Sequence, residues 1–473
     1  MVKLFVLGID GAFPEYVFGE WLEEMPNIKK LIENGAYARL NSTIPPLSAT
    51  AWTSITTGKS PADTGIFEYV YRKKFSYDDL HVITSKNLNE KTIWTIASEF
   101  KKKSIICFVN LTWPIKPFNG YLISDPLTPS GNDIQSTHPK ELKEELERVF
   151  KELPPPNFSQ FRDVSKKSNF REIPKEDVIK GIYELTEKHI NIMKYLIKNK
   201  EWDLFFGVIG LTDRMNHAFW KYMDKGHRKY DPNSKFQNTL KDYYKFIDKK
   251  LGELLEELEE DTTIIVLSDH GITRMHTRVN LTDWLIKEGY MVLKEPIKDK
   301  CEFNFNMVNW QKTKVFAIGA YEGQIFINLK GREPEGVVEK EKYEKLIDEL
   351  EEKLKQIKGD RGETLKTKVF KKKEHFKGKC EDIAPDMIIY FDDLQYGCNT
   401  TLIGNETLYS EQTARGSDDA AHSRQGIFIM KNGKSKGNLS EISYLDVAPT
   451  ILHELELEIP EDMKGRVIGK DKL

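Results

Sequence analysis

An α/β fold is predicted: a doubly wound, mostly parallel sheet with helices on both faces, plus a smaller inserted region. Two observations predict it. Short, wholly apolar runs recur along the chain, as in parallel strands buried on both faces. Between them lie longer segments whose apolar residues repeat at helical spacing, so that strand and helix alternate as in βαβ units. The first run is Lys3–Ile9 (KLFVLGI), stopped by Asp10-Gly11. Ser104–Val109, Tyr121–Ser124, Leu204–Ile209, Thr263–Leu267, Met387–Phe391 and Gly426–Met430 are of the same kind. Helical stripes run through Val178–Ile197, Leu240–Leu258 and Tyr343–Ile357. Two regions break the rhythm. Residues 110–177, with the run Pro154-Pro155-Pro156, read as an elaborated loop region, and residues 276–379 as an insertion or cap. That leaves 1–275 and 380–473 for the catalytic core.

The composition narrows the function. Of 473 residues, 39% are hydrophobic, enough for a large core and too many for a disordered chain. Lys and Arg number 71 against 74 Asp and Glu, a net charge of −3, which argues against gripping a nucleic-acid polymer. The runs Lys101–Lys103 and Lys371–Lys373 read as solvated faces. The 4 cysteines (Cys107, Cys301, Cys380, Cys398) show no CxxC spacing, so neither a disulfide scaffold nor a thiolate zinc site is expected. Free thiols suit a reducing cytoplasm. MVKLFVLGIDG turns polar too soon for a signal peptide. No apolar run approaches the ~20 residues that span a bilayer. The expectation is a cytoplasmic protein with no membrane span.

In a doubly wound sheet, ligands bind just beyond the carboxyl ends of the strands. Asp10 closes the first strand. Asp213 follows Leu204–Ile209, in Thr212-Asp213-Arg214-Met215-Asn216-His217. Asp269 and His270 follow Thr263–Leu267, in Ser268-Asp269-His270-Gly271, and His422 stands four residues before Gly426–Met430. Asp213 and His217, at i and i+4, share one helix face. Each has a plain structural reading: an ion pair at a helix start, a capping Asp at a corner, a lone structural histidine. Together, carboxylates and imidazoles on one rim point to a two-metal site, of a kind that suits zinc, manganese or iron. His189 continues an apolar stripe and reads as a core residue. His81, His138, His227, His375 and His453 lack ligand-like spacing, and His276 is open. Ser48, after Pro45-Pro46, is placed to cap a helix through Ala51–Thr56. The other reading is a hydroxyl nucleophile at a helix N-terminus, where the dipole and free N–H groups favour anions. No GxSxG pattern accompanies it, so metal activation of the hydroxyl is the more economical scheme.

These residues carry a resemblance. The chain resembles the type I phosphodiesterase/nucleotide pyrophosphatase branch of the alkaline phosphatase superfamily, most of all its soluble prokaryotic phosphohydrolases. The matching stretches include VLGIDGA at the start, the Ser48 segment continuing through Thr57-Gly58-Lys59-Ser60-Pro61, and Asp213 to His217 with Phe219-Trp220. Ser268-Asp269-His270-Gly271, Ala384-Pro385-Asp386, His422 with Gly426-Ile427-Phe428 and Asp446-Val447-Ala448-Pro449-Thr450 extend them over essentially the whole chain. The resemblance implies an alkaline-phosphatase-like core with two divalent metal ions, usually zinc, with manganese the other choice. By position, Asp10, Ser48, Asp269 and His270 would hold the metal beside the nucleophile. Asp213, His217 and His422 would hold the other. Ser48 falls at the nucleophile's place, where the family more often has Thr, and Thr50 is the fallback. Two departures bear on substrate. Tyr69 stands where nucleotide pyrophosphatases have an Asn that assists the phosphoryl oxygen. Ala49 stands where alkaline phosphatases have an Arg that grips a dianionic monoester, which favours a monoanionic diester.

The expected activity is therefore hydrolysis of a small phosphate ester or nucleotide-like substrate through a covalent phosphoryl-Ser48. A metal-dependent phosphomutase or phosphotransferase of the same superfamily is the alternative. A sulfatase is disfavoured, because Ser48 is followed by Ala49-Thr50-Ala51-Trp52 rather than x-Pro-x-Arg. A non-catalytic metal-binding module would have lost a ligand or the nucleophile, and none is missing. Trp113 and Tyr321, in the two irregular regions, are candidates for setting substrate preference.

Overall fold

Ten strands form the central sheet: β1 (Leu4–Ile9), β2 (Ala36–Asn41), β3 (Ser104–Cys107), β4 (Gly120–Ile123), β5 (Thr137–His138), β6 (Leu204–Ile209), β7 (Thr263–Leu267), β8 (Gln425–Lys431), β9 (Gly437–Asn438) and β10 (Ile442–Ser443). Their order is β9-β2-β8-β7-β1-β6-β3-β4-β5, with β10 also paired to β2. The central strands β7, β1, β6, β3 and β4 run parallel. β8 is antiparallel to both its neighbours and β5 to β4. This is a computed structural model, and it describes residues 2–125, 127–129, 134–151, 173–414, 416–433, 435–439 and 441–469. Within the region expected to be elaborated loop, residues 152–172, with Pro154-Pro155-Pro156, lie outside the described residues.

Helices cover both faces: α1 (Pro26–Asn34), α2 (Ser48–Thr57), α3 (Ile93–Glu99), α4 (Lys175–Asn199), α5 (Leu211–Met223), α6 (Thr239–Leu255) and α7 (Val447–Glu454). The period-two alternation of a strand sorts the side chains. Along β1, Phe5, Leu7 and Ile9 join the core beneath α1, α4, α5 and α6. Leu4 and Val6 join the core beneath α2, α3 and α7. His189, on the buried stripe of α4, stacks on Phe108 with ring centroids 3.9 Å apart, as expected of a core histidine. Gly8 on β1 faces Trp52 of α2, and a Cβ there would stand 2.3 Å from Trp52 Cη2. Gly8→Ala is expected to displace the indole and cost about 1–3 kcal/mol of stability. A thermal midpoint equal to wild type would show that this layer repacks freely.

One strand reading is corrected. The apolar run Met387–Phe391 reads as a core strand, but Met387–Tyr390 pairs antiparallel with Gly323–Ile327 and Lys368–Lys371. With Val315–Ile318 these form a separate four-stranded sheet. The run is wholly apolar because both its faces are covered, Met387 and Ile389 by one cluster and Ile388 and Tyr390 by another. Burial on two faces looks the same in sequence whichever sheet the strand joins. Among the described residues no helix is long and apolar enough to cross a membrane. The four cysteines are unpaired.

Candidate active site

Register sets the site. β1 and β7 are neighbours with Gly8 beside Leu267, so Asp10 and Asp269, each two residues further on, emerge side by side. β6 flanks β1 on the other side and delivers Asp213 in the first turn of α5. Gly11 turns the chain after Asp10 with φ +67°, a left-handed conformation that suits glycine, and its N–H donates to Asp269 Oδ1 at 3.2 Å. Beyond β7, Gly271–Arg274 pairs antiparallel with Ala420–Ser423, placing His422 opposite Ile272. The His270 and His422 rings stack 3.8 Å apart.

Ser48 is the first residue of α2. Leu47 occupies the N-cap and no side chain caps the helix, which corrects the expectation that Ser48 caps a helix through Ala51–Thr56. The Pro45-Pro46 entry leaves the hydroxyl free for tertiary contacts instead. Ser48 Oγ donates to Asp10 Oδ1 at 3.3 Å and lies 3.1 Å from His270 Nε2. One turn on, Trp52 Nε1 donates to Asp10 Oδ2 at 3.1 Å. Thr50 is fully buried within α2, and its Oγ1 has no hydrogen-bond partner. Tyr69 approaches Ser48 closely enough for their hydroxyls to interact, and burial raises the phenol pKa, so it stays protonated.

Ligand-type atoms of Asp10, Asp269 and His270 lie within 4.8 Å of one another, as do those of Asp213, His270 and His422. His217 Nε2 joins the second group, 3.2 Å from Asp213 Oδ1 and 3.1 Å from His422 Nε2. The seven residues singled out in the sequence thus meet in one buried cluster. Each imidazole has its Nδ1 engaged outside the cluster: His217 on Asp418 Oδ1 (3.1 Å), His270 on the Gly271 carbonyl (2.9 Å), His422 on the Pro46 carbonyl (2.7 Å). Nδ1 donates in each case, so each ring in its neutral form presents the Nε2 lone pair inward, as metal-ligating histidines do. Asp213 Oδ1 and Asp269 Oδ2 are buried with no hydrogen-bond partner. Lone pairs facing lone pairs are costly in a buried site unless a cation lies between them, so the donor set fits divalent metal ions.

The electrostatics agree. Burial, then the neighbouring Asp269 and Asp213, push the Asp10 carboxyl well above its usual range, and burial raises Asp269. Burial also opposes ionisation of Asp213, but His217 and His422 outweigh it and hold that carboxyl well below its usual range. Burial disfavours the charged form of His217, yet Asp418 and Asp213 raise its pKa to about 9. His422, desolvated and next to His270, falls to about 4. Three carboxylates and three imidazoles this close cannot all take their ordinary charge unaided.

Other histidines lie elsewhere. His227 Nε2 bonds the Met275 and Asp419 carbonyls, and His276, left open in the sequence, has its ring 6.3 Å from that of His227. Tyr321 does reach the site: its hydroxyl donates to Asp418 Oδ2 at 3.0 Å and its ring stacks on His217. The contacts found for Trp113 are backbone ones, to Asp125 and Ser85. Asp418 was missed. Its only signal was a pair of acidic residues, Asp418-Asp419, four positions before a candidate ligand.

The sequence profile of the family described as type I phosphodiesterase/nucleotide pyrophosphatase matches residues 4–418. No curated protein sequence matches the chain. Solved structures resemble it over nearly their full length. Human ectonucleotide pyrophosphatase/phosphodiesterase 5 is 14% identical, with a TM-score of 0.53, covering 97% of this chain and 96% of that one. An inactive murine form in complex with AMP is 15% identical, with a TM-score of 0.53 and coverages of 98% and 97%. Phosphonoacetate hydrolase from Sinorhizobium meliloti, in complex with phosphonoacetate, is 15% identical, with a TM-score of 0.59 and coverages of 96% and 95%. At such identities the likeness is one of fold, and the profile supplies the rest: the chain belongs to the type I phosphodiesterase/nucleotide pyrophosphatase family of phosphoric ester hydrolases.

Proposed function

We propose that the chain is a two-metal phosphodiesterase or pyrophosphatase whose nucleophile is Ser48. The observation that carries this reading is the Ser48 hydroxyl, free of any capping duty and held between Asp10 Oδ1 and His270 Nε2. Asp10, Asp269 and His270, with Ser48 Oγ, would hold one divalent cation, and Asp213, His217 and His422 the other. When bound, such a pair supplies positive charge that stabilises the attacking and leaving oxygens of an in-line displacement. Zinc is the expected metal for this mixed carboxylate–imidazole set, with manganese the other candidate.

The chain's own residues do the rest. Trp52 orients the Asp10 carboxylate, and Asp10 accepts the hydroxyl hydrogen of Ser48. Ser48 Oγ attacks phosphorus and forms a phosphoserine ester as the alcohol or phosphate leaving group departs. Water then cleaves that ester and regenerates the hydroxyl. The N-terminus of α2, with its free N–H groups, favours the anionic phosphoryl oxygens. Ala49, fully buried after Ser48, brings no cation for a dianionic monoester, which supports a diester or nucleotide-like substrate. The murine structural relative was solved with AMP. The unpaired cysteines support a reducing compartment, the cytoplasm.

Assays of bis-p-nitrophenyl phosphate and p-nitrophenyl phosphate with added zinc or manganese test the reading. Diester cleavage faster than monoester cleavage is expected. Phosphoryl transfer to an added alcohol or sugar without net hydrolysis would favour a transferase or mutase instead. Tyr69, beside the nucleophile, is proposed to donate its phenolic hydrogen to a phosphoryl oxygen. Tyr69→Phe is expected to lower kcat on the diester about 10²-fold, as loss of one such donor does elsewhere, with an unchanged thermal midpoint. Wild-type kcat in that variant would remove Tyr69 from the mechanism.

A further inference from the structure

The three imidazoles of the cluster are not supported alike. His270 and His422 give their Nδ1–H to backbone carbonyls, whereas His217 gives its own to a carboxylate, Asp418 Oδ1, at 3.1 Å. The Asp418 side chain is 1% exposed. Its second oxygen accepts from Tyr321 Oη at 3.0 Å, and Oδ1 also accepts from the Ala420 N–H at 3.3 Å. Tyr321 comes from the other sheet. It sits in the turn between Val315–Ile318 and Gly323–Ile327, its ring 5.3 Å from that of His217 and 4.8 Å from that of His422.

Both supports are themselves fixed. The Gly319 carbonyl accepts from Thr400 Oγ1 at 2.7 Å and the Ala320 carbonyl from the Cys398 N–H at 3.0 Å. Next to Asp418, Asp419 is paired with Lys221 at 2.9 Å and Lys229 at 2.8 Å, and its carbonyl accepts from His227 Nε2 at 3.0 Å. A buried carboxylate behind a ligating imidazole locks the ring and makes Nε2 a stronger donor to a metal. The Asp10–Asp269–His270 side has no such carboxylate on its imidazole, because His270 Nδ1 bonds a carbonyl.

We propose that Asp418 and Tyr321 are positioning residues that set the cation affinity of the Asp213–His217–His422 cluster independently of the Asp10–Asp269–His270 cluster. The hairpin of the smaller sheet thereby controls one half of a two-metal site. This rests on the reading that both clusters hold cations. The test uses the full chain, stripped with a chelator and titrated with cobalt(II), followed by calorimetry and by the visible absorption of the bound ion. Wild type is expected to bind two equivalents. In Asp418→Asn one equivalent keeps its affinity and the other weakens about 10–100-fold, with a matching loss from the visible spectrum. Tyr321→Phe, which keeps the ring and loses the hydroxyl, weakens the same equivalent by less.

Two equivalents with unchanged affinities in Asp418→Asn would overturn the inference and leave the two-metal reading standing. Equal weakening of both equivalents would overturn it as well, since that is what a general loss of structure does. Wild type that binds no cobalt would overturn both. If Asp418→Asn does not fold, Tyr321→Phe decides alone, and unaltered affinity at both sites overturns the proposal.

Discussion

Ser48→Ala is expected to lower kcat on a phosphodiester by at least about 10³-fold while the thermal midpoint barely moves. The two halves of this expectation have separate causes. A serine that caps a helix stabilises it by about 1 kcal/mol through its side chain, with no bearing on rate. Ser48 does no capping, since α2 begins at Ser48 itself behind Leu47. Its hydroxyl instead lies 3.3 Å from Asp10 Oδ1 and 3.1 Å from His270 Nε2, so under the proposed mechanism its removal takes away the attacking atom and little else. Ser48→Thr keeps a hydroxyl at the same Cβ and is expected to retain much of the activity. Wild-type kcat in Ser48→Ala, measured with the fold intact by circular dichroism, would assign the chemistry to another group.

Chelation is expected to abolish activity and to lower stability without unfolding the chain. Asp10, Asp213 and Asp269 stand together under burial that already pushes Asp10 toward its protonated form. Without cations these carboxylates repel one another. A metal at 100 times its dissociation constant stabilises the native state by about 2.7 kcal/mol per site, so its removal should lower the midpoint by several degrees. The fold persists because β1, β6 and β7 are buried along their whole length without any help from the site. Re-addition of zinc or manganese should restore both rate and midpoint. Full activity in protein shown by elemental analysis to be metal-free would refute metal dependence.

Much of this was legible in the amino-acid order because parallel strands buried on two faces leave unbroken apolar runs. β6 and β7 fall where Leu204–Ile209 and Thr263–Leu267 placed them. Strand ends then located Asp10, Asp213, Asp269 and His270, because the chemistry of a doubly wound sheet gathers there. What stayed hidden depends on tertiary partners. β2, Ala-Tyr-Ala-Arg-Leu-Asn, alternates buried and half-buried residues near the sheet edge and carries no apolar run. Met387–Tyr390 has the composition of a core strand because two clusters cover it, yet it belongs to the smaller sheet. Ser48 looked like a cap because local sequence does not reveal that Leu47 already occupies that place. Asp418 is tied to the cluster by a hydrogen bond to His217, a residue 201 positions away, and no periodicity encodes such a contact.

The stereochemical course at phosphorus tests the covalent Ser48 route most directly. Attack by Ser48 Oγ inverts the configuration once, and hydrolysis of the phosphoserine ester inverts it again. With a phosphorothioate diester chiral at phosphorus, cleaved in isotopically labelled water, the product is expected to show net retention. Net inversion would mean that water attacks the substrate directly, and would contradict a covalent Ser48 intermediate whatever the mutants do.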